Sequence, residues 1–143
     1  MAKEAEMNWR LVLLLSIFGV VMAFAGVFFI SGRTEALLWP VIFVIYAVII
    51  VHALPGRYFI HAFAACVING LWSGIIHAAC MTTYLENHHV IREIYKTMPL
   101  ADHRRIATVL GGIGLGLLMG IIAGLVAYAV GRIWKKKEPA PGT

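Results

Sequence analysis

Long apolar blocks alternate with short polar breaks along this chain. Residues 11–30 contain only Ser16 as a polar member. Residues 36–54 contain Pro40 near the start and His52 near the end. Residues 58–84 carry no formal charge but include His61, Asn69, Ser73 and His77, and residues 106–131 have Thr108 as their main polar side chain. An α-helix rises ~1.5 Å per residue and a bilayer's hydrocarbon core is ~30 Å thick, so about 20 residues cross it. All four blocks meet that length, and none shows the strict alternation of a membrane β-strand. The pattern predicts an all-α integral membrane four-helix bundle, one transmembrane domain over residues 1–143, with spans at about 11–30, 36–54, 58–84 and 106–133.

The links at residues 31–35 and 55–57 are short enough to make successive helices antiparallel. The third link, 85–105, is longer and charged. Within it Val90, Ile91, Ile94, Tyr95 and Met98 recur at helical spacing, with Arg92, Glu93 and Lys96 between them. That predicts a short amphipathic helix, either lying on the membrane surface or extending helix three. Pro99 ends it or begins the next helix. Residues 135–143 read as a flexible tail. Trp9, Tyr58 and Trp134 would mark one bilayer interface, and Trp39 and Tyr84 the other. Ala23-Phe24-Ala25 mimics a signal-peptide cleavage site. Glu4 and Glu6 precede it and the apolar run continues to Ile30, which favours a retained helix.

Small residues form two rows. Gly112, Gly116, Gly120 and Gly124 recur every four residues on helix four, and Ala62, Cys66, Gly70, Gly74 and Ala78 do so on helix three. Glycine in a water-exposed helix costs about 1 kcal/mol against alanine. In a bilayer it lets two backbones approach, and packing there depends on van der Waals contact. Two arrangements follow from such a glycine zipper. The rows join helices three and four within one chain, or one row makes a homodimer or partner contact. Helix one carries a weaker version, Gly19, Ala23 and Gly26.

At ~100° per residue, Asn69, Ser73, His77, Cys80 and Tyr84 fall within an arc of about 80° on helix three, with His61 well off it. Such an arc faces protein or water, because an unpaired polar group in hydrocarbon is costly. Asn69, Ser73, His77 and Tyr84 are the candidate polar pocket, and His77 is its ionisable member. It serves as an interhelical bond to a carbonyl, a proton- or ligand-binding group, or a metal or haem ligand. A wet site at His77 would favour binding; dry packing against one carbonyl would not. His52 and His61 flank one turn, but no second helix offers a histidine at the depth of His77 for a haem pair. His77-x-x-Cys80 with His88 and His89 lacks standard metal spacing, so no metal ligand is assigned and the cofactor is left open. His88 and His89 read as exposed loop residues. Cys66 and Cys80 are ~21 Å apart along one helix and cannot pair.

Composition narrows the class. Apolar residues make up 61% and charged residues 13%, which excludes a water-soluble domain and disorder; two cysteines exclude a disulfide scaffold. The net charge is +5, from 12 basic and 7 acidic residues. The basic residues sit at helix ends, where they anchor to the bilayer surface, and no patch suits nucleic acid. Lys3, Arg10, Arg57, Arg132, Lys135, Lys136 and Lys137 fall on the terminal side, against Arg33, Arg92, Lys96, Arg104 and Arg105 on the other. That bias puts both termini in the cytoplasm. No phosphate-binding loop, zinc-protease motif or nucleophile elbow is present. No predicted span carries a carboxylate, which argues against an ion-coupled transporter.

From residue 56 to about residue 131 the chain resembles a group of uncharacterised small bacterial four-helix membrane proteins. The resemblance rests on Gly56-Arg57-Tyr58-Phe59-x-His61, Trp72 with Ile76-His77, Tyr84-Leu85-x-Asn87-His88, and the glycine-rich helix after Pro99-Leu100. Similar proteins show Pro-Glu after the Asn-His step, where His89-Val90 stands here. The resemblance implies a multi-pass protein of the bacterial inner membrane and no particular activity. The expected function is non-enzymatic: a scaffold, an accessory subunit of a larger membrane complex, or a self-associating homo-oligomer built on small-residue packing. The alternatives are a transport or ligand-binding bundle with its pocket around His77, and a metal- or haem-binding protein.

Overall fold

The computed structural model describes residues 6–98 and 101–135, and among these the regular structure is entirely helical. Helix α1 spans Trp9–Phe28, α2 Gly32–Ala53, α3 Tyr58–Ala79, α4 Met81–Asn87, α5 His89–Thr97 and α6 Arg104–Lys135, with a 3-10 turn at Ala101–His103 before α6. Four of these, α1, α2, α3 and α6, are long and apolar enough to cross a membrane. Lys3, Glu4, Pro99, Lys136, Lys137 and the rest of the tail lie outside the described residues.

The helix ends follow local chemistry. Asn8 caps α1 by accepting the Leu11 N–H, and Ser31 caps α2 by accepting the Thr34 N–H. A side-chain oxygen there satisfies one of the amides that a first turn leaves unpaired. The Ser31 cap starts α2 ahead of its apolar block, so Arg33 and Glu35 belong to the helix rather than to a link. Pro40 is held inside α2. Helix three does not run unbroken to Tyr84: it stops at Cys80, where φ is −97° and ψ is 30°, and resumes as α4. Arg57 takes up the left-handed conformation, φ 57°, before α3.

α5 is amphipathic. Ile91 and Tyr95 pack on Val27, Met81, Tyr84 and Leu85, and the Tyr95 and Thr108 hydroxyls lie 2.6 Å apart, tying α5 to α6. Val90 and Ile94 stay outward. On its polar side the Lys96 ammonium, 2.8 Å from Glu93, holds that carboxyl below the ordinary range.

Side-chain pairings give the topology. Gly26 of α1 stands against Glu35 of α2, and Leu15 against Tyr46, so α1 and α2 are antiparallel. Asn8 meets His61 and Gly19 meets Asn69, so α1 and α3 are parallel. α3 and α6 run antiparallel: Gly74 meets Val109, Gly70 meets Gly112 and Gly116, Gly120 meets Phe63, and Gly124 meets Phe59. Around the bundle the order is α1, α3, α6, α2. Its centre is filled by Val12, Leu15, Tyr46, Ile50, Ala62, Ala65, Ala123 and Ala127.

The closest approach is between the two glycine rows. A methyl group on Gly70 would fall on the Gly112 carbonyl oxygen and 2.7 Å from Gly116 Cα; one on Gly112 would lie 2.9 Å from Gly74 Cα; one on Gly116 would lie 2.9 Å from the Cys66 carbonyl oxygen. All of these neighbours are backbone, so neither helix can yield by turning a side chain. Gly111 and Gly114 face the other way, with no atom within 4 Å of an added methyl. Gly70→Ala and Gly112→Ala are therefore expected to lower stability by about 1–3 kcal/mol, the usual cost of overpacking. Gly111→Ala and Gly114→Ala should be neutral or gain up to about 1 kcal/mol from helix propensity. Reversible unfolding in mild detergent measures both sets.

Candidate functional site

α3 turns one side to α6 and an adjacent side to α1, and the second side is polar. Asn69, Ser73 and His77 stand at successive four-residue steps, one row of the helix surface. The break at Cys80 and the start of α4 carry the same line on to Tyr84 and His88. Facing it on α1 are small residues: an added methyl on Gly19 would strike Asn69, and Ala23 and Gly26 lie beside His77. The weaker small row of helix one thus accommodates polar side chains rather than another glycine row.

These side chains grip α1 along its length. At one end the Asn8 amide donates to His61 Nε2 at 3.0 Å, while His61 Nδ1–H donates to the Arg57 carbonyl at 2.8 Å. His61 thus uses both ring nitrogens. In the middle the Tyr46 hydroxyl donates to the Leu15 carbonyl at 2.6 Å and accepts from Asn69 Nδ2 at 2.5 Å, linking three helices. Further along, the His77 ring bonds to the Ala23 carbonyl. Past the break, Asn87 Nδ2 donates to the Val27 carbonyl at 2.7 Å, satisfying an acceptor in the last turn of α1.

Beyond Ser73 the rings stack. His77 lies on Tyr84 with centroids 4.1 Å apart, and Tyr84 lies on His88 at 4.4 Å. His88 Nδ1–H donates to the Tyr84 carbonyl at 3.0 Å. His88, the single residue between α4 and α5, is 6% exposed, so it is a buried rather than an exposed link histidine; His89, the first residue of α5, is exposed. Glu35 stands at this end of the line. It bonds to the Trp39 side chain and lies within electrostatic reach of Tyr84 and His88.

The four predicted pocket residues, Asn69, Ser73, His77 and Tyr84, are therefore on one seam. Sequence reasoning missed Tyr46, Glu35 and the burial of His88. Tyr46 is the lone hydroxyl amid the apolar run of α2, and Ser31 as a helix cap would have drawn Glu35 into the first turn. The packing residues Gly70, Gly74, Gly112, Gly116, Gly120 and Gly124 lie on the α3–α6 side. His52 donates from Nδ1 to the Val48 carbonyl at 2.9 Å and packs against Trp134, far along the chain from the seam. The Tyr84 ring separates His77 from His88, and among the described residues no three His, Cys, Asp or Glu side chains converge on a metal position. Cys66 and Cys80 are free thiols.

No family model matches the chain, and comparison with curated proteins and with solved structures gives no match.

Among the described residues the Tyr46–Asn69 pair is the polar link between α2 and α3 at the centre of the bundle. Tyr46→Phe should cost about 1–3 kcal/mol, since it strands Asn69 Nδ2, and Asn69→Ala about 1 kcal/mol, since the Tyr46 hydroxyl keeps its bond to Leu15. The double variant should lose less than the sum, because the two share one bond. A double-mutant cycle of unfolding in detergent reads the coupling directly.

Proposed function

We propose that this chain is a non-enzymatic integral membrane protein, a four-helix bundle with α5 at the bilayer interface, that binds or passes a small polar ligand along the α1–α3–α4 seam. One observation carries the reading. The buried side-chain atoms without a hydrogen-bond partner among the described residues are Asn69 Oδ1, Ser73 Oγ, His77 Nε2 and His88 Nε2, and all four lie on this one line. Buried polar groups are normally paired, so a run of orphans along one path marks a place where water or ligand completes the bonding. His77 lies against the Ala23 backbone, as a packing histidine would, yet its Nε2 has no partner. Basic residues toward the terminal ends and the resemblance over residues 56–131 support the bacterial inner membrane, with both termini cytoplasmic.

A second reading is a scaffold, accessory subunit or homo-oligomer. The two glycine rows meet within one chain, so a glycine-zipper contact with a second copy or another subunit would fall to Gly111 and Gly114, which face outward with open space above them. Gly114→Leu would then dissociate a complex seen by native mass spectrometry in mild detergent. The seam reading expects no change there.

Seam access is tested with a water-soluble thiol probe. In a Cys66→Ala, Cys80→Ala background, Ser73→Cys in membrane vesicles should react with aminoethyl methanethiosulfonate. Leu115→Cys, on the outward face of α6, should stay inert. Equal inertness at both positions would remove the seam as a ligand path.

A further inference from the structure

At the end of the bundle away from α4 and α5, a cavity of about 310 Å³ lies between the end of α2, the α2–α3 link and the end of α6. Residues 51–55, Tyr58 and Trp134 line it, and no carboxylate is among them. Its wall combines hydrogen-bond acceptors with aromatic rings. The last turn of a helix leaves carbonyls without amide partners. Here the Val51 carbonyl has no amide at residue 55 to accept from, because Pro55 has no N–H. His52 Nδ1 lies 2.9 Å from the Val48 carbonyl, which only accepts, so Nδ1 carries the hydrogen and Nε2 keeps its lone pair in the neutral ring. The His52 ring meets Trp134 edge-on with centroids 4.5 Å apart. Trp134 is 45% exposed, so the indole both lines the cavity and reaches its surroundings.

Carbonyl oxygens at a helix C-terminus and an aromatic wall both favour a cation. The surroundings favour the opposite charge. Arg10, Arg57 and Arg132 belong to this end of the bundle, Lys135, Lys136 and Lys137 follow Trp134 in the sequence, and of the described carboxylates only Glu6 is at this end. Arg132 bonds the Tyr128 hydroxyl at 2.7 Å, a neutral group that leaves its charge uncancelled. A lone cation is repelled by such a rim, whereas a cation that carries its own anion a few bonds away suits both. We infer that the cavity holds the headgroup of a phospholipid with a primary ammonium beside its phosphate. The ammonium enters the cavity, donates to the acceptors of the α2 end and lies against Trp134, while the phosphate stays at the basic rim. A primary ammonium brings three N–H donors to this wall. The acyl chains have an apolar path along α2, where Ile45, Val48 and Ile49 are exposed within two turns of His52. The site is independent of the α1–α3–α4 seam.

Native mass spectrometry of the full chain in mild detergent tests the site, with dioleoyl phosphatidylethanolamine, phosphatidylcholine and phosphatidylglycerol offered in equal amounts. Phosphatidylethanolamine should be retained about tenfold more than either of the others, the size of a partly desolvated cation–π contact. The choline headgroup has no N–H to donate, and the glycerol headgroup has no cation. Ala53→Trp adds bulk at an exposed position of the cavity wall and should abolish the preference. Trp134→Leu should bring the three lipids level. Trp72→Leu, exposed on α3 and outside the cavity lining, should leave the preference intact. Circular dichroism of each variant checks that the bundle is folded. Equal retention of the three lipids by the unaltered chain, or a preference for phosphatidylglycerol, would overturn the site. So would a preference for phosphatidylethanolamine that survives both Ala53→Trp and Trp134→Leu in folded protein. Thiol labelling at Ser73→Cys reads the seam alone, so the two readings fail separately.

Discussion

Backbone contact between α3 and α6 sets the rest of this molecule. Gly70, Gly112 and Gly116 meet with no side chain between them, so the rotation of α3 about its own axis is fixed by atoms that have no freedom to adjust. The small row on α3 runs through Gly70, Gly74 and Ala78, and the polar row through Asn69, Ser73 and His77. Each polar residue precedes a small one by a single position. One position is ~100° of helix rotation, so a glycine row seated on α6 directs the polar row to the side where α1 stands.

Two kinds of packing coexist as a result. α3 and α6 approach through small residues and are joined by dispersion. α1 meets α3 through small residues too, but what fills the gap is amide, hydroxyl and imidazole. α2 stands further off and reaches the centre with bulk: Tyr46 extends across the bundle to Asn69 and Leu15, with its ring edge-on to Phe18. Removing bulk from α2 and adding it to α3 are therefore different perturbations. The first opens space near the Tyr46–Asn69 link, while the second forces two backbones apart.

Much of this was legible in the chain. Length and continuous apolarity gave the four long helices, and the four-residue spacing of glycine singled out the surfaces that meet. The arc through Asn69, Ser73, His77 and Tyr84 also followed from helical rotation alone, since the break at Cys80 barely disturbs it. Other features depend on tertiary structure that no periodicity carries. Glu35 reads as a link residue because charge interrupts the apolar run, whereas the Ser31 cap draws it into α2. His88 looked exposed beside His89, but stacking on Tyr84 buries it. The weak small row on α1 gave no hint of its partner, because a glycine that makes room for glycine and one that makes room for asparagine read alike. Tyr46 was hidden in an apolar run, its importance set by residues 23 and 31 positions away along the chain.

The circular order α1, α3, α6, α2 bears on how the chain comes together. α1 and α2, neighbours in the chain, touch each other far less than each touches a later helix: α1 waits for α3, and α2 for α6. A nascent N-terminal hairpin would therefore be two lipid-surrounded rods held by residues 29–31 rather than a packed unit. α1 gains its neighbour with α3, and α2 only when α6 comes in beside α3, so the packing of the early pair depends on the helices that follow it.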